Sequence, residues 1–178
     1  MLLHLTRPEM LDLWRQHRAF DPLRHDASVV RQDGIDIDSL LVAEMEKWYL
    51  DLLLTAPTTL LKVADIAASV MLTPADDSGG TVISLPPDIV RVVDVRLSSW
   101  VTPARVVTSP DSAVARRQLH PYTRATAAMP VAVFDGSSLR IYPASTASDF
   151  PAMLRCVRRV DGEYDFDEAA LAGVAPLG

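Results

Sequence analysis

The clearest pattern of apolar and polar positions in this chain lies in residues 81–100, TVISLPPDIVRVVDVRLSSW. Two apolar runs, residues 82–85 and 89–97, flank a Pro86-Pro87-Asp88 corner and are rich in β-branched side chains, which favour strands. Apolar and polar side chains alternate towards the end of the second run. The side chains expected to face the core there are Val93, Val95 and Leu97. We therefore predict a strand with one buried face and one face in solvent.

The spacing of a helix appears first near the N-terminus. In residues 10–17 apolar side chains recur at the spacing of one helix face. Thr6 and Glu9 stand at the positions of a capping box, in which the two residues satisfy free amides at the start of a helix. These features predict a helix over residues 8–19, ended by Pro22 because the residue before a proline avoids helical geometry.

A second predicted helix, residues 39–54, is apolar around an unusually wide arc, and Asp36 or Asp38 supplies its cap. One face carries Leu41, Met45, Trp48 and Leu52, and the next face carries Val42, Tyr49 and Leu53. Such an arc needs more cover than one short helix provides. We expect this helix to lie against the β part of the chain, against a third helix or against another subunit.

Two hairpins are predicted in the remainder of the chain. Residues 69–72 are expected to pair with residues 81–85. Residues 130–134 and 138–142 flank Asp135-Gly136-Ser137, and Asp-Gly between two apolar runs is a strong hairpin signal.

The other predicted elements are shorter or less regular. A strand over residues 104–107 and a small helix over residues 114–118 precede the second hairpin. A strand over residues 153–160 has arginines on both faces, which places it at a sheet edge or at an interface. Residues 161–178 carry five acidic side chains and no basic ones, so we predict an acidic tail with one helical turn near residues 168–171.

Together these elements predict an α+β fold, in which N-terminal helices pack on an antiparallel β-sheet or β-sandwich domain. The predicted division is a helical segment over residues 1–60, an antiparallel β domain over residues 61–160 and the acidic tail. Apolar residues make up 49% of the chain, enough for a sizeable core. No run reaches the ~20 apolar residues of a membrane span, and we find no signal-peptide pattern, so no membrane association is expected.

The net charge of −6 is unevenly distributed along the chain. Residues 81–160 carry ten Lys or Arg and five Asp or Glu, whereas residues 161–178 reach −5 and residues 1–56 reach −4. The charges either neutralise one another within one fold or form complementary faces that meet between copies. Cys156 is the only cysteine, which excludes an intramolecular disulfide.

No catalytic or cofactor-binding constellation can be assembled from the sequence. Asp77-Ser78-Gly79-Gly80 lacks the surroundings of a serine-protease nucleophile and fits a hairpin loop better. The four histidines share no metal-ligand spacing, the acidic clusters lack the pattern of a calcium loop, and there is no Gly-rich phosphate loop. We therefore expect no enzymatic activity, no cofactor and no metal site.

A basic patch is a further candidate feature. The arginines that would form it are Arg116, Arg117, Arg124, Arg140, Arg155, Arg158 and Arg159. The chain as a whole is acidic and contains no recognisable nucleic-acid-binding motif, so we expect no sequence-specific binding of nucleic acid.

Residues 81–143 resemble a known protein family. Leu85-Pro86-Pro87-Asp88 forms a Leu-Pro-x-Asp corner, a strand and Trp100 follow, and a late hairpin closes with Ile141-Tyr142-Pro143. This order resembles the β part of small head–tail connector proteins (adaptor or ring proteins) of tailed phages and prophages, including the ring proteins of crAss-like phages. The C-terminus departs from the family, because an acidic tail stands where some members carry a final helix.

The resemblance implies a non-enzymatic virion protein that forms a ring between portal and tail. Its partners would be further copies of itself, the portal protein and tail proteins. It would be found in the virion, and in the host cytoplasm during assembly. Two other classes stay open: a β-sandwich module that binds a ligand or an unknown partner, and an enzyme.

If the chain self-associates, the apolar helix and the basic late strand are the predicted contact surfaces. The candidate interface residues are Leu41, Met45, Trp48, Leu52, Arg155, Arg158 and Arg159. In this hypothesis the acidic tail of one copy lies against the basic strands of the next. Charges then set the register, and apolar side chains supply the affinity.

Overall fold

The computed structural model describes residues 1–17, 37–74 and 79–174. In chain order its elements are β1 (Leu2–Thr6), α1 (Arg7–His17), α2 (Ile37–Thr55), β2 (Val63–Asp65), β3 (Leu72–Pro74), β4 (Thr81–Ser84), β5 (Ile89–Leu97), β6 (Arg105–Val107), α3 (Ala113–Arg117), β7 (Val131–Phe134), β8 (Ser138–Tyr142), β9 (Pro151–Arg158) and β10 (Glu163–Asp167). Short 3-10 helices span Thr58–Leu60, Ala67–Ser69, Pro121–Thr123 and Glu168–Gly173. The combination of helices and mostly antiparallel sheets confirms the predicted α+β fold class.

The chain divides into two compact units. One consists of Met1–Lys62 together with Arg159–Gly178, and we call it the terminal unit. The other is Val63–Arg158, which we call the inserted unit because it interrupts the first one in sequence.

In the terminal unit, α1 begins with the predicted contact between Thr6 and Glu9. The Glu9 carboxylate accepts hydrogen bonds from the Thr6 backbone N–H at 2.8 Å and from the Thr6 hydroxyl at 2.6 Å. The predicted end of this helix at residues 18–19, its stop at Pro22 and the alternative cap Asp36 lie outside the described residues. The second predicted helix is confirmed as α2.

The C-terminal segment is not the solvated acidic tail that the sequence predicted. Residues 163–167 form β10, which pairs antiparallel with β1 along its whole length, from Leu2 opposite Asp167 to Thr6 opposite Glu163. The prediction was wrong because the acidic residues alternate with Tyr164 and Phe166, both of which are buried. This strand has one acidic face and one aromatic face, and the prediction of a tail considered only the acidic residues. The predicted turn of helix follows as the 3-10 helix at Glu168–Gly173.

The wide apolar arc of α2 receives most of its cover inside the terminal unit. Its buried stripe consists of Leu41, Met45, Tyr49 and Leu53. The Tyr49 ring lies 4.9 Å from that of Tyr164 and 6.2 Å from that of Phe166, measured between centroids. Trp14 of α1 approaches Trp48 with 5.2 Å between their ring centroids. The cover described here comes from α1 and from β10, a strand in the segment predicted as an acidic tail. It is not the β domain of residues 61–160 that the prediction offered as cover.

In the inserted unit, eight strands form two sheets. The three-stranded sheet has the order β2-β9-β5, and the five-stranded sheet has the order β3-β4-β8-β7-β6. The second predicted hairpin is confirmed as β7–β8, and a β3–β4 hairpin stands where the first was predicted. The first strand of that hairpin was misplaced, because β3 begins only at Leu72 and Ser69 ends a 3-10 helix. All pairs are antiparallel except β6 with β7, which run parallel, so the larger sheet is mixed.

The core of the inserted unit lies between these two sheets. Side chains from β5 and β9 on one side pack with side chains from β4, β7 and β8 on the other, as in a β-sandwich. Fully buried members include Ile83, Val95, Leu97, Leu139, Ile141 and Leu154. Trp100, directly after β5, is 5% exposed and belongs to the same core.

Strand β5 has the predicted bounds but not a strict alternation. Its buried residues are Ile89, Val92, Val95 and Leu97, so the spacing is three, three and two. The pairing with β9 shifts its register between Ile89 and Arg91 and again between Val92 and Asp94. Each bulge inserts one extra residue and reverses the side-chain direction that follows, which explains why Val93 is only partly buried.

Strand β9 is the middle strand of its sheet, with β2 on one side and β5 on the other. The predicted position at a sheet edge was therefore wrong, while the alternative, a position at an interface, stays a prediction. The arginines that suggested it are paired within the unit, Arg155 with Asp94 and Arg158 with Asp88. Acidic side chains on or beside the neighbouring strand thus neutralise a charge pattern that looked like an exposed edge.

If β9 is central, truncating its buried side chain should be costly. We expect Leu154→Ala to lower the free energy of unfolding by about 2–5 kcal/mol, because Leu154 is 0% exposed and the change leaves a cavity. Met153→Ala, at a half-buried neighbouring position, is the matched control and should cost less. Denaturant titration of both variants measures this, and equal losses would contradict the central position of Leu154.

Candidate interaction surfaces

The apolar residues predicted as an interface lie mostly in the terminal unit's own core. Leu41 and Met45 are 5% and 0% exposed and are not accessible to a partner. Trp48 and Leu52 are half-buried, and the Trp48 ring meets Phe166 edge-on with 5.4 Å between centroids. The apolar face of α2 therefore stabilises the unit first, and only its flanks remain for other contacts.

The exposed side of α2 has a simple composition. Leu40 and Leu54 are 57% and 47% exposed. Between them, at helical spacing along the same side, lie Glu44, Lys47 and Asp51. This surface is a charged stripe with one exposed leucine at each end.

The three predicted interface arginines are all engaged within the chain. Besides the pairs of Arg155 and Arg158, Arg159 donates from Nη2 to the Glu46 carboxylate at 2.9 Å. Arg155 and Arg158 belong to the inserted unit and Arg159 to the terminal unit. They retain between about a third and half of their exposure, so they can still contribute charge to a surface.

Glu46, on α2, is the most connected charged side chain of the terminal unit. Its carboxylate accepts hydrogen bonds from Arg7 at 2.9 Å, from Arg159 and from the Tyr164 hydroxyl. These donors come from the start of α1, from the residue directly after the inserted unit, where the chain re-enters the terminal unit, and from β10. Glu46 thus connects four parts of the chain that are far apart in sequence.

The electrostatics of Glu46 follow from two opposing effects. Burial by itself raises the pKa of a carboxyl group, since it disfavours the charged form. Here hydrogen bonds from Tyr164, Arg7 and Arg159 outweigh burial and hold the pKa of Glu46 below its ordinary value. Burial and the bond to Glu46 raise the pKa of Tyr164, so the phenol stays protonated and keeps donating at neutral pH.

A second cluster forms where β1 meets β10. Ligand atoms of His4, Glu163 and Asp165 lie within 4.8 Å of one another. Asp165, however, already accepts from Lys62 Nζ at 3.0 Å and lies 2.8 Å from His4 Nδ1. A cation here would have to displace an ammonium group, so we interpret the cluster as an ion-paired surface.

Cys156 carries no reactive chemistry at neutral pH. It is fully buried, and this burial raises the pKa of its thiol to about 12. The thiolate, which is the nucleophilic form, is therefore not populated.

The inserted unit contains a cavity of about 450 Å³ beside α3. Arg105 from β6, Arg117 from α3 and Arg124 from the following loop line it. Among the residues that the structure describes, no Asp or Glu lines this cavity. Its walls also include apolar side chains, namely Pro103, Val114, Met129, Pro130 and Val131. We call it the arginine cavity.

Gln118 fixes the shape of the arginine cavity. Only 3% exposed, it donates from Nε2 to the Val114 carbonyl at 2.9 Å, and its Oε1 accepts from the Ala125 N–H at 2.7 Å. Its backbone carbonyl accepts from Arg124 Nε at 2.9 Å. One buried side chain therefore closes the loop between α3 and β7 onto the helix.

The Arg124 guanidinium lies close against the backbone at Gly79. This glycine has φ +70°, and a Cβ at its position would collide with the Arg124 guanidinium. A side chain here would be strained by the backbone and would push the arginine away. Gly79 is thus needed for the close approach that positions Arg124.

A smaller cavity of about 180 Å³ lies nearby, lined by Arg140, Asp135 and Tyr142 among others. Asp135 is committed to the hairpin turn, where backbone N–H groups of Ser137 and Ser138 lower its pKa. Asp135 and Arg140 both line this cavity, and the presence of a carboxylate distinguishes it from the larger one.

Sequence reasoning found part of this arrangement. Arg117 and Arg124 were in the predicted basic patch, but Arg105 was not. Of the other members, Arg140 lines the smaller cavity, and the rest line neither cavity. The sequence contains one indication of the role of Gln118, which is its position at the end of a short predicted helix. Its burial depends on the fold of the following loop, which has no periodicity to read.

No protein-family model matches this chain, and no curated protein matches it significantly. Within the described ranges, no helix is long and apolar enough to cross a membrane.

Removing the Glu46 charge should destabilise the terminal unit in a pH-dependent way. We expect Glu46→Gln to lower the free energy of unfolding at neutral pH by roughly 2 kcal/mol, since hydrogen bonds to a charged group are lost. Because the folded-state pKa is below the unfolded one, the stabilisation is present above the unfolded pKa and disappears as pH falls through the folded pKa.

The gap between wild type and Glu46→Gln should therefore narrow on acidification, as measured by denaturant titration with tryptophan fluorescence. Asp51→Asn, an exposed carboxylate on the same helix, is the control and should leave stability nearly unchanged. A gap that stays constant from neutral pH to below the carboxylate range would show that the Glu46 charge contributes nothing.

Proposed function

We propose that this chain is a non-enzymatic structural subunit that associates head to tail into a ring, as a head–tail connector of a tailed phage. In this role it binds further copies of itself, the portal protein and tail proteins. Its place is the virion, and the host cytoplasm during assembly. The observation that carries the proposal is the separation of charge between the two units.

The two units differ strongly in charge. The terminal unit contains eight Lys or Arg and fifteen Asp or Glu, a net charge of −7. The inserted unit contains nine and eight, a net charge of +1, and three of its arginines converge on one cavity. An acidic surface of one copy can therefore meet a basic surface of the next. Such a heterologous contact closes into a ring when the rotation per copy divides the circle.

The residues of the family resemblance have structural positions that fit this role. Leu85-Pro86-Pro87-Asp88 forms the corner between β4 and β5, where Asp88 pairs with Arg158. Trp100 and Tyr142 are buried at 5% and 2% exposure. These residues build the β-sandwich itself, so they support a shared architecture, while the assembly role remains our proposal.

Charge alone does not hold such a contact together. Exposed ion pairs contribute only ~0–1 kcal/mol each, and they mainly set orientation and rate. Apolar area has to supply most of the affinity. Exposed candidates are Leu40 and Leu54, which bracket the charged stripe of α2.

A second candidate function is a binding module that recognises a ligand or a single partner. The arginine cavity favours it, because its volume of about 450 Å³ falls within the ~300–1,000 Å³ range of ligand sites. This candidate requires no ring.

Light scattering separates the two candidates. For a connector we expect several copies per particle, either for the purified chain or after addition of the portal protein encoded in the same genome. A monomer under both conditions would contradict the connector. The assembly should weaken as salt is raised, since screening reduces the attraction between exposed charges.

The acidic segment after the inserted unit is the contact to test by substitution. Deleting residues 161–178 would remove the buried Tyr164 and Phe166 and damage the core, so it cannot isolate the charge. Asp161, with its side chain 97% exposed, can be reversed without that cost. We expect Asp161→Lys to weaken assembly roughly fivefold, the size of an exposed pair, measured by sedimentation.

The matched control is Asp51→Lys, which makes the same charge change at an exposed position of α2 in the same unit. It should change assembly much less. Equal effects of the two reversals would mean that net charge, rather than the segment after residue 160, governs the association.

A further inference from the structure

We propose that the arginine cavity binds an acidic peptide segment of a partner protein, a carboxylate side chain next to an apolar one. The proposal deepens the second candidate function, the binding module, and does not require a ring.

The first argument is the convergence of cations without an anion. Arg105, Arg117 and Arg124 reach the cavity from a strand, a helix and a loop, and no carboxylate of the described chain lines it. Each of these arginines carries a positive charge, so a carboxylate that enters the cavity is attracted by all three. Guanidinium and carboxylate match in geometry as a fork of two parallel hydrogen bonds.

The second argument is that the chain positions these groups before any ligand arrives. Gln118 fastens the loop that carries Arg124, and Gly79 allows that guanidinium to pack closely. The Thr123 hydroxyl donates to the Arg117 carbonyl at 2.8 Å, which ties the same loop to the end of α3. A preorganised site loses less entropy on binding, so such fastening is expected of a recognition site.

The third argument is the apolar part of the wall. Met129 lines the cavity and is 75% exposed, and Val101, close by through its N–H bond to the Ala127 carbonyl, is 76% exposed. Flexible methionines are frequent at binding surfaces because they adapt to different apolar partners. The site thus offers a cationic end and an apolar end within one cavity.

These features favour a peptide over a nucleic acid. Binding of a polyanion needs a track of positive charge along the surface, and a net basic domain. Here the cations are confined to one cavity, and the inserted unit has a net charge of only +1. A single carboxylate with an apolar neighbour fits both the charge and the wall.

The test is an NMR titration of the full chain with a capped peptide of alternating glutamate and phenylalanine. We expect saturable shifts at the amides of Gln118 and Ala125, which border the cavity. A peptide with glutamine in place of glutamate is the control and should produce no such shifts. The absence of shifts with the acidic peptide, or equal shifts with both peptides, would overturn the proposal. A single-stranded oligonucleotide of equal charge that binds more tightly than the acidic peptide would also overturn it.

Two variants locate the site. Arg117→Gln should weaken binding of the acidic peptide about tenfold, since a charge-assisted pair is lost. Arg116→Gln removes an equal charge from the adjacent helical position, which does not line the cavity, and should have little effect. Equal losses in the two variants would indicate attraction to net charge alone and contradict a specific site.

A third variant leaves the charges untouched. Ala128 is exposed and lines the cavity, so Ala128→Trp fills the space without disturbing the core. Binding should be lost while the unfolding midpoint stays the same. Retained binding in this variant would place the peptide elsewhere. The ring is tested by light scattering and by substitution of Asp161, and the cavity by peptide binding, so failure of either proposal is recognised separately.

Discussion

The pairing of β1 with β10 is the constraint on which the terminal unit depends. It brings Leu2–Thr6 beside Glu163–Asp167, two segments at opposite ends of the described chain. The pairing delivers Tyr164 and Phe166 to the apolar side of α2, and it brings the Tyr164 hydroxyl to Glu46. Without β10, the two described helices of this unit have no sheet to pack on, and Glu46 loses one of its hydrogen-bond donors.

The inserted unit solves its packing by different means. Two sheets enclose one apolar core, and charge is placed on the outer surfaces, where Arg155 and Arg158 find acidic partners. On the other sheet, α3 and its loop cover the outer face, but Arg105, Arg117 and Arg124 are left around a shared space. In the described part of the chain, Arg155 and Arg158 have acidic partners, whereas no carboxylate lines the cavity of the other three arginines. This contrast separates a structural from a candidate binding surface.

Local signals in the sequence were sufficient to predict most helices and strands, but not to predict which strands pair with one another. The Asp135-Gly136 turn, the capping pair of Thr6 and Glu9 and the apolar run of β5 each depend on neighbours in sequence, and each was predictable. The central position of β9 and the strand character of β10 depend on pairing over long distances. Charge led to the wrong prediction in both cases. In β9 the arginines looked unpaired, although Asp88 and Asp94 pair with them. In β10 the acidic residues drew attention away from the buried aromatic ones. The arginine cavity was out of reach for the same reason, since Arg105 joins it only through the parallel pairing of β6 with β7.

The interrupted layout of the terminal unit has a consequence for how the protein is made. The chain emerges from the ribosome N-terminus first, so α1 and α2 are complete before β10 is synthesised. The whole inserted unit is synthesised after these helices and before β10. The pairing of Val63 with Val157 joins the two ends of that unit, so the unit can fold before β10 is synthesised. At ~5–20 residues per second, the apolar stripe of α2 stays without its aromatic cover for several seconds of synthesis. During that interval the nascent chain offers Leu41, Met45 and Leu53 to any chaperone or neighbouring chain that binds exposed apolar helices.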